Sequence, residues 1–512
     1  MMNMMRKMTI YLLCAIGMLC SSTALAGDND CDEGPGESVL LADYIMIRLV
    51  DSANEQPALQ AFIKAFENHP ANTGLSLETV DSIDGRPIYK LALDAPPGTD
   101  FDVVEDQLET AYTDHIVWGE LLYDADAPES NGGSTGSTYA DGVPEIAFQS
   151  QYATEQTNVP QAQARSTGAG TVVAVLDTGI DAEHPLLKGR VLSNGYDFVN
   201  DNDNTDDVGA GIDSDGDGQV DEMVGHGTFV AGLITLVAPD AKLLPIRIID
   251  SDGRGDLWQM LEGVYYAIDQ GVEVINVSVR STYDSVGVEE ALLNAREEHG
   301  ILTVAAAGNF DLCRREYPAS FDADVGFGRV LSVAALDHND VKADFSSYND
   351  EVFISAPGSS VIDNGDPDDD LSIIGPHPGG SYGAWEGTSM SAPLVAGAVA
   401  LIRAQHPEWP ANASTANEIE TRLASTAAFI YDVNPDHVEE QSLGFGRLDI
   451  GAAAQIGPIA PALGDLDANG GVGVSDLLNL LSEWGATHTS ADLDGNGVVS
   501  VGDLLIVLSN WG

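Results

Sequence analysis

Glu386-Gly387-Thr388-Ser389-Met390-Ser391-Ala392-Pro393, running on into the apolar stretch Leu394 to Ile402, is the segment around which the chain is organised. Small residues precede one serine, and Val395, Ala396, Val399 and Ala400 recur at the spacing of a buried helix. Pro393 suits the first turn of such a helix, where its missing N–H costs nothing. Ser389 then stands at a helix N-terminus, whose free N–H groups and positive dipole end can hold an oxyanion. Alone, the segment also reads as a core helix with a serine-rich cap. The contexts upstream decide between the two.

From Thr171 onward apolar strands alternate with helices. The strands are expected at 172–176, 243–249, 272–279, 302–307 and 330–335, with helices at 226–236 and 256–270 between them. Such alternation predicts a parallel sheet covered on both faces, with sites gathered at the C-terminal ends of its strands. Three residues fall at such places. Asp177 ends the apolar run of Val175-Leu176-Asp177-Thr178-Gly179. His226 lies in Gly225-His226-Gly227-Thr228, a glycine-flanked turn opening a helix. Asn309 closes Ala305-Ala306-Ala307-Gly308-Asn309. With Ser389 they form an acyl-transfer set: a nucleophile, His226 as base and then acid, and Asp177 to orient and stabilise the imidazolium. The Asn309 amide and the N–H of Ser389 are the oxyanion donors.

Each of these residues alone is a common turn former; the order Asp, His, Ser with these flanks is specific. On the motifs Asp177-Thr178-Gly179, Gly225-His226-Gly227-Thr228, Ala306-Ala307-Gly308-Asn309 and Gly387 to Pro393, residues 150–456 resemble the subtilisin-like serine proteases. The resemblance implies an α/β three-layer sandwich and endopeptidase action on polypeptides. It also implies a substrate cleft edged by Ser278, Val279 and Arg280 on one side and Ala306, Ala307 and Gly308 on the other. Two positions depart from the family pattern. Phe229 stands where a second histidine is usual, and is expected simply to pack. Arg280 stands where glycine is usual, and is expected either to charge the cleft in favour of acidic or small side chains or to point to solvent.

Residues 38–126 read as a β-α-β-β-α-β, ferredoxin-like unit. Strands are expected at 44–50, 75–80, 87–93 and 115–123, with helices at 58–68 and 101–112. The resemblance makes this unit the inhibitory propeptide, with a maturation cut between Tyr123 and Gln151. Residues 127–149, rich in Gly, Ser and Thr from Ser130 to Gly142, read as an exposed linker. Residues 1–26 read as a secretory signal: Arg6 and Lys7, an apolar stretch, then Ala24-Leu25-Ala26. Nothing later is apolar enough for long enough to span a membrane. Cys31 and Cys313 remain after signal removal, either paired or as two thiols.

After a second linker at 457–464, residues 465–512 hold a duplicated acidic loop. Asp465, Asp467, Asn469 and Asp476 stand at places 1, 3, 5 and 12 of the first copy; Asp492, Asp494, Asn496, Ser500 and Asp503 stand at places 1, 3, 5, 9 and 12 of the second. Hard oxygens in that pattern suit Ca2+, and folding so small an all-α unit would be coupled to the metal. The segment resembles a dockerin, which implies a cohesin-like or other surface partner. A third loop, Asp213, Asp215, Asp217 and Asp221, is expected to hold a structural calcium beside His226.

The balance of 21 Lys+Arg against 81 Asp+Glu, a formal charge of −60, excludes a general nucleic-acid or anionic-membrane binder. The expectation is therefore a secreted, calcium-stabilised serine endopeptidase made as a zymogen and tethered by its tail. A surface-binding scaffold on an idle protease fold, and a hydrolase of some other ester or amide, are the alternatives.

Overall fold

The computed structural model describes residues 38–50, 53–130, 140–321, 330–359, 372–438 and 440–455, with scattered positions between 477 and 507. The signal-like segment 1–26 and the loop residues Asp465, Asp467, Asn469, Asp476, Asp492, Asp494 and Asn496 lie outside the described residues.

The N-terminal unit runs β1 (Leu40–Leu49), α1 (Glu55–Glu67), β2 (Ser76–Ser82), β3 (Ile88–Asp94), α2 (Phe101–Thr110) and β4 (Ile116–Asp126). Its strands pair antiparallel in the order β2-β3-β1-β4. Leu59, Phe62 and Phe66 of α1 and Val104 and Leu108 of α2 recur at helical spacing. They bury against Ile45, Ile47, Leu91 and Leu121 of the sheet. The element order matches the sequence expectation.

The central unit is a seven-stranded parallel sheet. Its strands, in chain order, are β5 (Val172–Asp177), β6 (Tyr196–Asp197), β7 (Lys242–Arg247), then β9 (Val274–Val277), β10 (Leu302–Ala306), β11 (Val330–Leu336) and β12 (Ile354–Pro357). The spatial order is β12-β11-β10-β9-β5-β7-β6. A short strand, β8 (Arg254–Asp256), leaves this sheet and pairs antiparallel with β4 of the N-terminal unit. The β5, β9 and β10 strands are Val-, Leu- and Ala-rich without alternation and are buried almost throughout, as expected of strands covered on both faces. Helices α3 (His226–Val237), α4 (Leu257–Gln270), α5 (Val286–His299), α6 (Thr388–Gln405) and α7 (Ala413–Thr426) supply the cover. Asp256 caps α4 with a reciprocal box to Gln259, and Asp256 and Gly271 bracket that helix sharply.

Helix α6 is buried from Thr388 to Ile402 on every side, the signature of a central helix. It starts at Thr388, so Pro393 falls in its second turn and not its first. Residue 393 has no N–H for the Ser389 carbonyl. That carbonyl instead accepts a 3.4 Å bond from the Ser278 hydroxyl, just past the end of β9.

The stretch expected as a linker begins differently. Ala127, Glu129 and Ser130 are buried, Ser130 N–H and Oγ both bond the Ala127 carbonyl, and only 131–139 lie outside the described residues. Further on, Ala140–Asp141 pairs with the strand Ser381–Ala384, and Glu145–Ser150 is helical. Cys313 is disulfide-bonded, with its partner outside the described residues.

Candidate active site

Asp177, His226, Asn309 and Ser389 meet at the C-terminal edge of the sheet, each delivered by the end of β5 or β10 or the start of α3 or α6. His226 Nδ1 lies 2.7 Å from Asp177 Oδ1, and the same carboxylate oxygen accepts the N–H of Thr178 at 2.7 Å. Gly227 allows α3 to come this close, since a Cβ there would meet the Gly179 carbonyl and the Asp177 side chain. The His226 ring meets Trp385 edge-on at 5.4 Å, and Phe229 packs on the same indole at 5.9 Å. Phe229 is thus a packing residue, as expected.

Two positioning residues were not read from the sequence. Thr388 donates its N–H and its hydroxyl, each at 2.9 Å, to Asn309 Oδ1, which turns the Asn309 amide NH2 toward Ser389. Asp207 is buried and accepts from Gly225 N–H, Thr228 N–H and both the Thr178 and Thr228 hydroxyls. It ties the two turns around His226 together, and burial raises its pKa. Thr388 sat inside the quoted motif. Asp207 sits in the Asp- and Asn-rich run 200–207, with no local pattern to mark it.

The space in front of Ser389 holds Glu129. Ser389 Oγ donates to Glu129 Oε2 at 2.8 Å, Asn309 Nδ2 donates to Glu129 Oε1 at 2.8 Å, and His226 Nε2 lies 3.3 Å from Oε2. A Cβ on Gly387 would strike Glu129 Oε1, so only glycine leaves room for an oxygen there. Burial opposes charge on His226, but Asp177 and then Glu129 outweigh it and push its pKa up to about 10. The imidazole is therefore held protonated between two carboxylates. In that state it is no base.

Glu129 arrives at the end of a strand. Asp124, Ala125 and Asp126 pair with Asp256, Gly255 and Arg254 of β8. On the other side Asp126 exchanges both backbone bonds with Arg280 at 2.8 Å, and Ala127 N–H bonds the Gly253 carbonyl. The chain then turns through Pro128, with Ser130 N–H closing on Ala127, so a side chain and not a peptide bond faces Ser389. Ser278, Val279, Ala306, Ala307 and Gly308 line the same edge and are buried, and Gly308 N–H bonds Thr388 Oγ1 at 3.1 Å. Arg280 does not point to solvent. It is buried over Phe310, ion-paired with Asp126 at 3.0 Å, and 3.7 Å from Glu316.

The N-terminal unit also docks through Glu120 of β4. Its carboxylate accepts from Ser285 Oγ, Val286 N–H and Gly287 N–H at the start of α5, where the helix dipole favours negative charge. Burial still pushes Glu120 up to about 7.

The acidic loop before His226 gathers a different carboxylate set from the one expected. Asp221 turns back to accept from the N–H groups of Ala210, Gly211 and Ile212 and from Ser251 Oγ, and so braces the loop. Asp213 and Asp215 converge with Asp252, and Asp215 and Asp217 with Glu222, within 4.8 Å in each trio. Burial and the charges of Asp217, Asp215 and Asp252 push Glu222 up to about 7, as a cluster short of positive charge would. These sets fit a calcium ion. In the C-terminal segment Asp503 is buried and accepts the Ser500 N–H at 2.7 Å, while Leu480 and Val507 share a small core with Ala491 and Val499. Among the described residues no helix is long and apolar enough to cross a membrane.

Residues 168–446, over half the chain, match the Subtilase family. Thermitase from Thermoactinomyces vulgaris is 34% identical over 255 residues, half of this chain and 82% of thermitase. Subtilisin BL from Lederbergia lenta is 35% identical over 272 residues, 51% of this chain and 87% of that protein. Among solved structures, fervidolysin from Fervidobacterium pennivorans, a keratinolytic enzyme related to subtilisin, superposes with a TM-score of 0.60 at 24% identity. The match covers 83% of this chain and 62% of fervidolysin, and is a likeness of fold. A parallel α/β sheet that brings Asp177, His226, Asn309 and Ser389 to one edge, and relatives of this kind across that same span, lead to one conclusion: the chain belongs to the subtilase family of serine endopeptidases.

Proposed function

We propose that this chain is the zymogen of a secreted subtilase, in which residues 38–126 are an inhibitory prosegment and Glu129 is the group that closes the reaction centre. The observation that carries the reading is the Glu129 carboxylate, held by Ser389 Oγ and Asn309 Nδ2 where the oxygen of a substrate carbonyl would be stabilised. Once Glu129 leaves, the pKa of His226 falls, the imidazolium gives its extra proton to water, and Ser389 Oγ attacks the scissile carbonyl. His226 takes the hydroxyl proton and later gives it to the leaving amine, and Asp177 holds the imidazole through Nδ1. The Asn309 amide and the Ser389 N–H receive the oxyanion. Hydrolysis of the acyl-enzyme by water returns Ser389.

Bound calcium would supply charge neutralisation to the loop before His226, held by Asp213, Asp215 and Asp252 or by Asp215, Asp217 and Glu222. Residues 1–26 are the export signal in this reading, and 465–512 the dockerin-like attachment module, with a cohesin-like or other surface partner. The acidic composition supports function in extracellular, calcium-containing water.

The test compares the full chain with Ser389→Ala, both made with calcium, by gel and intact mass. Loss of a fragment ending between Tyr123 and Gln151 in the wild type alone supports self-maturation. Full-length persistence of both, with no hydrolysis of any peptide, would instead favour a scaffold on an idle fold.

A further inference from the structure

Asp126 is gripped from both sides. Arg254, on β8, donates through Nη1 to Asp126 Oδ2 at 3.0 Å and lies 3.6 Å from Asp124 Oδ2. Arg280, on the opposite edge, places Nε 3.0 Å from Asp126 Oδ1 and donates Nη2 to Oδ2 at 3.4 Å. Both arginines belong to the peptidase unit, and both stay behind when 124–130 withdraws. Carboxylates near them among the described residues include Asp215, 3.7 Å from Arg254, and Glu316, 3.7 Å from Arg280. Glu316 also lies 3.7 Å from Arg314. Phe310 supports the Arg280 guanidinium, whose Cζ lies 4.3 Å from the ring centroid. In a chain with only 21 Lys+Arg against 81 Asp+Glu, two arginines converging on one backbone position are not a property of the general surface.

The segment 124–127 is held as an extended peptide would be, added as a strand between β8 and residue 280. A substrate lacking the Pro128 turn continues straight past the Ala127 position. The carbonyl of its next residue then enters the Asn309 and Ser389 site, which makes the Asp126 position the third residue before the bond cut.

We propose that Arg254 and Arg280 form a carboxylate-reading subsite, so that the matured enzyme selects polypeptides with aspartate or glutamate at the third residue before the scissile bond. The proposal rests on the endopeptidase reading above and names its substrate class. A substrate carboxylate at this place takes up the charge-assisted bonds that Asp126 makes with the two guanidinium groups, and an uncharged isostere forfeits them. Arg280, at 2% exposure, provides the buried part of the contact, and Arg254, at the more open rim, the part most sensitive to salt.

The experiment uses the full-length chain after it has processed itself, with quenched peptides differing only at the third residue before the cut: Asp, Glu, Asn, Leu or Lys. The expected kcat/KM for Asp exceeds that for the isosteric Asn by about tenfold or more, and the ratio falls as NaCl is raised. Arg254→Glu, a change at the partly open rim, should collapse the ratio and turn preference toward Lys. Arg280→Gln should lower the ratio further, but the wild-type series alone decides the matter if that buried change disturbs folding. Cutting of all five peptides with an Asp to Asn ratio near one overturns the subsite and leaves the endopeptidase reading standing. Failure to cut any peptide overturns both.

Discussion

Removing the Glu129 carboxylate should open the reaction centre without touching any residue of the peptidase unit. Glu129→Ala deletes the bonds to Ser389 Oγ and Asn309 Nδ2, both 2.8 Å, and the contact with His226 at 3.3 Å. Hydrogen bonds to a charged group contribute roughly 1.5–3 kcal/mol each, or about 3–6 kcal/mol for two. Burying the carboxylate costs part of that, so the net change in seating is on the order of 3 kcal/mol, about a hundredfold. Glu129→Gln keeps the shape and loses the charge, with an expected effect near tenfold. The assay is the rate at which a small fluorophosphonate labels Ser389 in the full-length chain, read by intact mass before any fragment appears. The variants should label faster in the order Ala, Gln, wild type.

The pH dependence of that labelling has a definite sign. Glu129 is one of the groups holding His226 up to about 10, so its contribution to docking is present at low pH and lost as pH rises through that value. Without Glu129 the pKa of His226 falls, and the rise of labelling with pH moves to lower pH. Equal labelling rates for all three proteins within twofold, or an unmoved pH profile, would refute the assignment of Glu129 as the closing group.

Glu120, lifted by burial from 4.5 to about 7 at the start of α5, favours docking below its free value and loses that contribution as pH rises through about 7. Wild-type labelling should therefore rise between pH 5 and 7, and that step should flatten in Glu120→Gln. Asp207→Asn breaks a buried acceptor that serves both turns around His226, and should cost about 2–4 kcal/mol in thermal unfolding and lower kcat more than it raises KM; an unchanged kcat would remove its positioning role. Chelation of calcium should lower Tm and Asp215→Asn, common to both carboxylate trios, should abolish that response, whereas the loss of the response in Asp221→Asn alone would contradict the ligand sets. Arg296→Met strands the buried Glu420, which accepts from Arg296 Nη2 at 2.9 Å between α5 and α7, and should destabilise the fold by about 3–5 kcal/mol in denaturant unfolding.

Much of this protein is legible in its sequence because the relevant patterns are local. The non-alternating apolar runs of β5, β9 and β10 announce a sheet buried on both faces, since each strand's own residues carry that information. Asp177, His226, Asn309 and Ser389 are legible for the same reason, each being marked by small or glycine neighbours that its tight turn requires. Glycine at 227 and 387 is demanded by close approach of another chain segment, and the sequence shows the glycine even though it does not show what approaches.

Contacts made across long separations were decided only by the tertiary structure. Glu129 lies 260 residues before Ser389 in a stretch whose composition suggests an exposed linker, and no periodicity connects the two. Asp126 and Arg280 meet only because β8 and residue 280 leave an open strand-width groove that β4 fills. Asp221 fits a calcium-loop spacing and also satisfies three backbone N–H groups, because a buried or turning backbone donor is costly to leave unpaired. Asp252 joins Asp213 and Asp215 from a different loop, 31 residues beyond Asp221 in the chain but adjacent in the fold. By itself the sequence determined which chemical groups the protein carries and the local turns that present them. Which carboxylate meets which donor depended on how the chain packs, since charge pairs form by proximity in space and proximity in space is set by the whole fold.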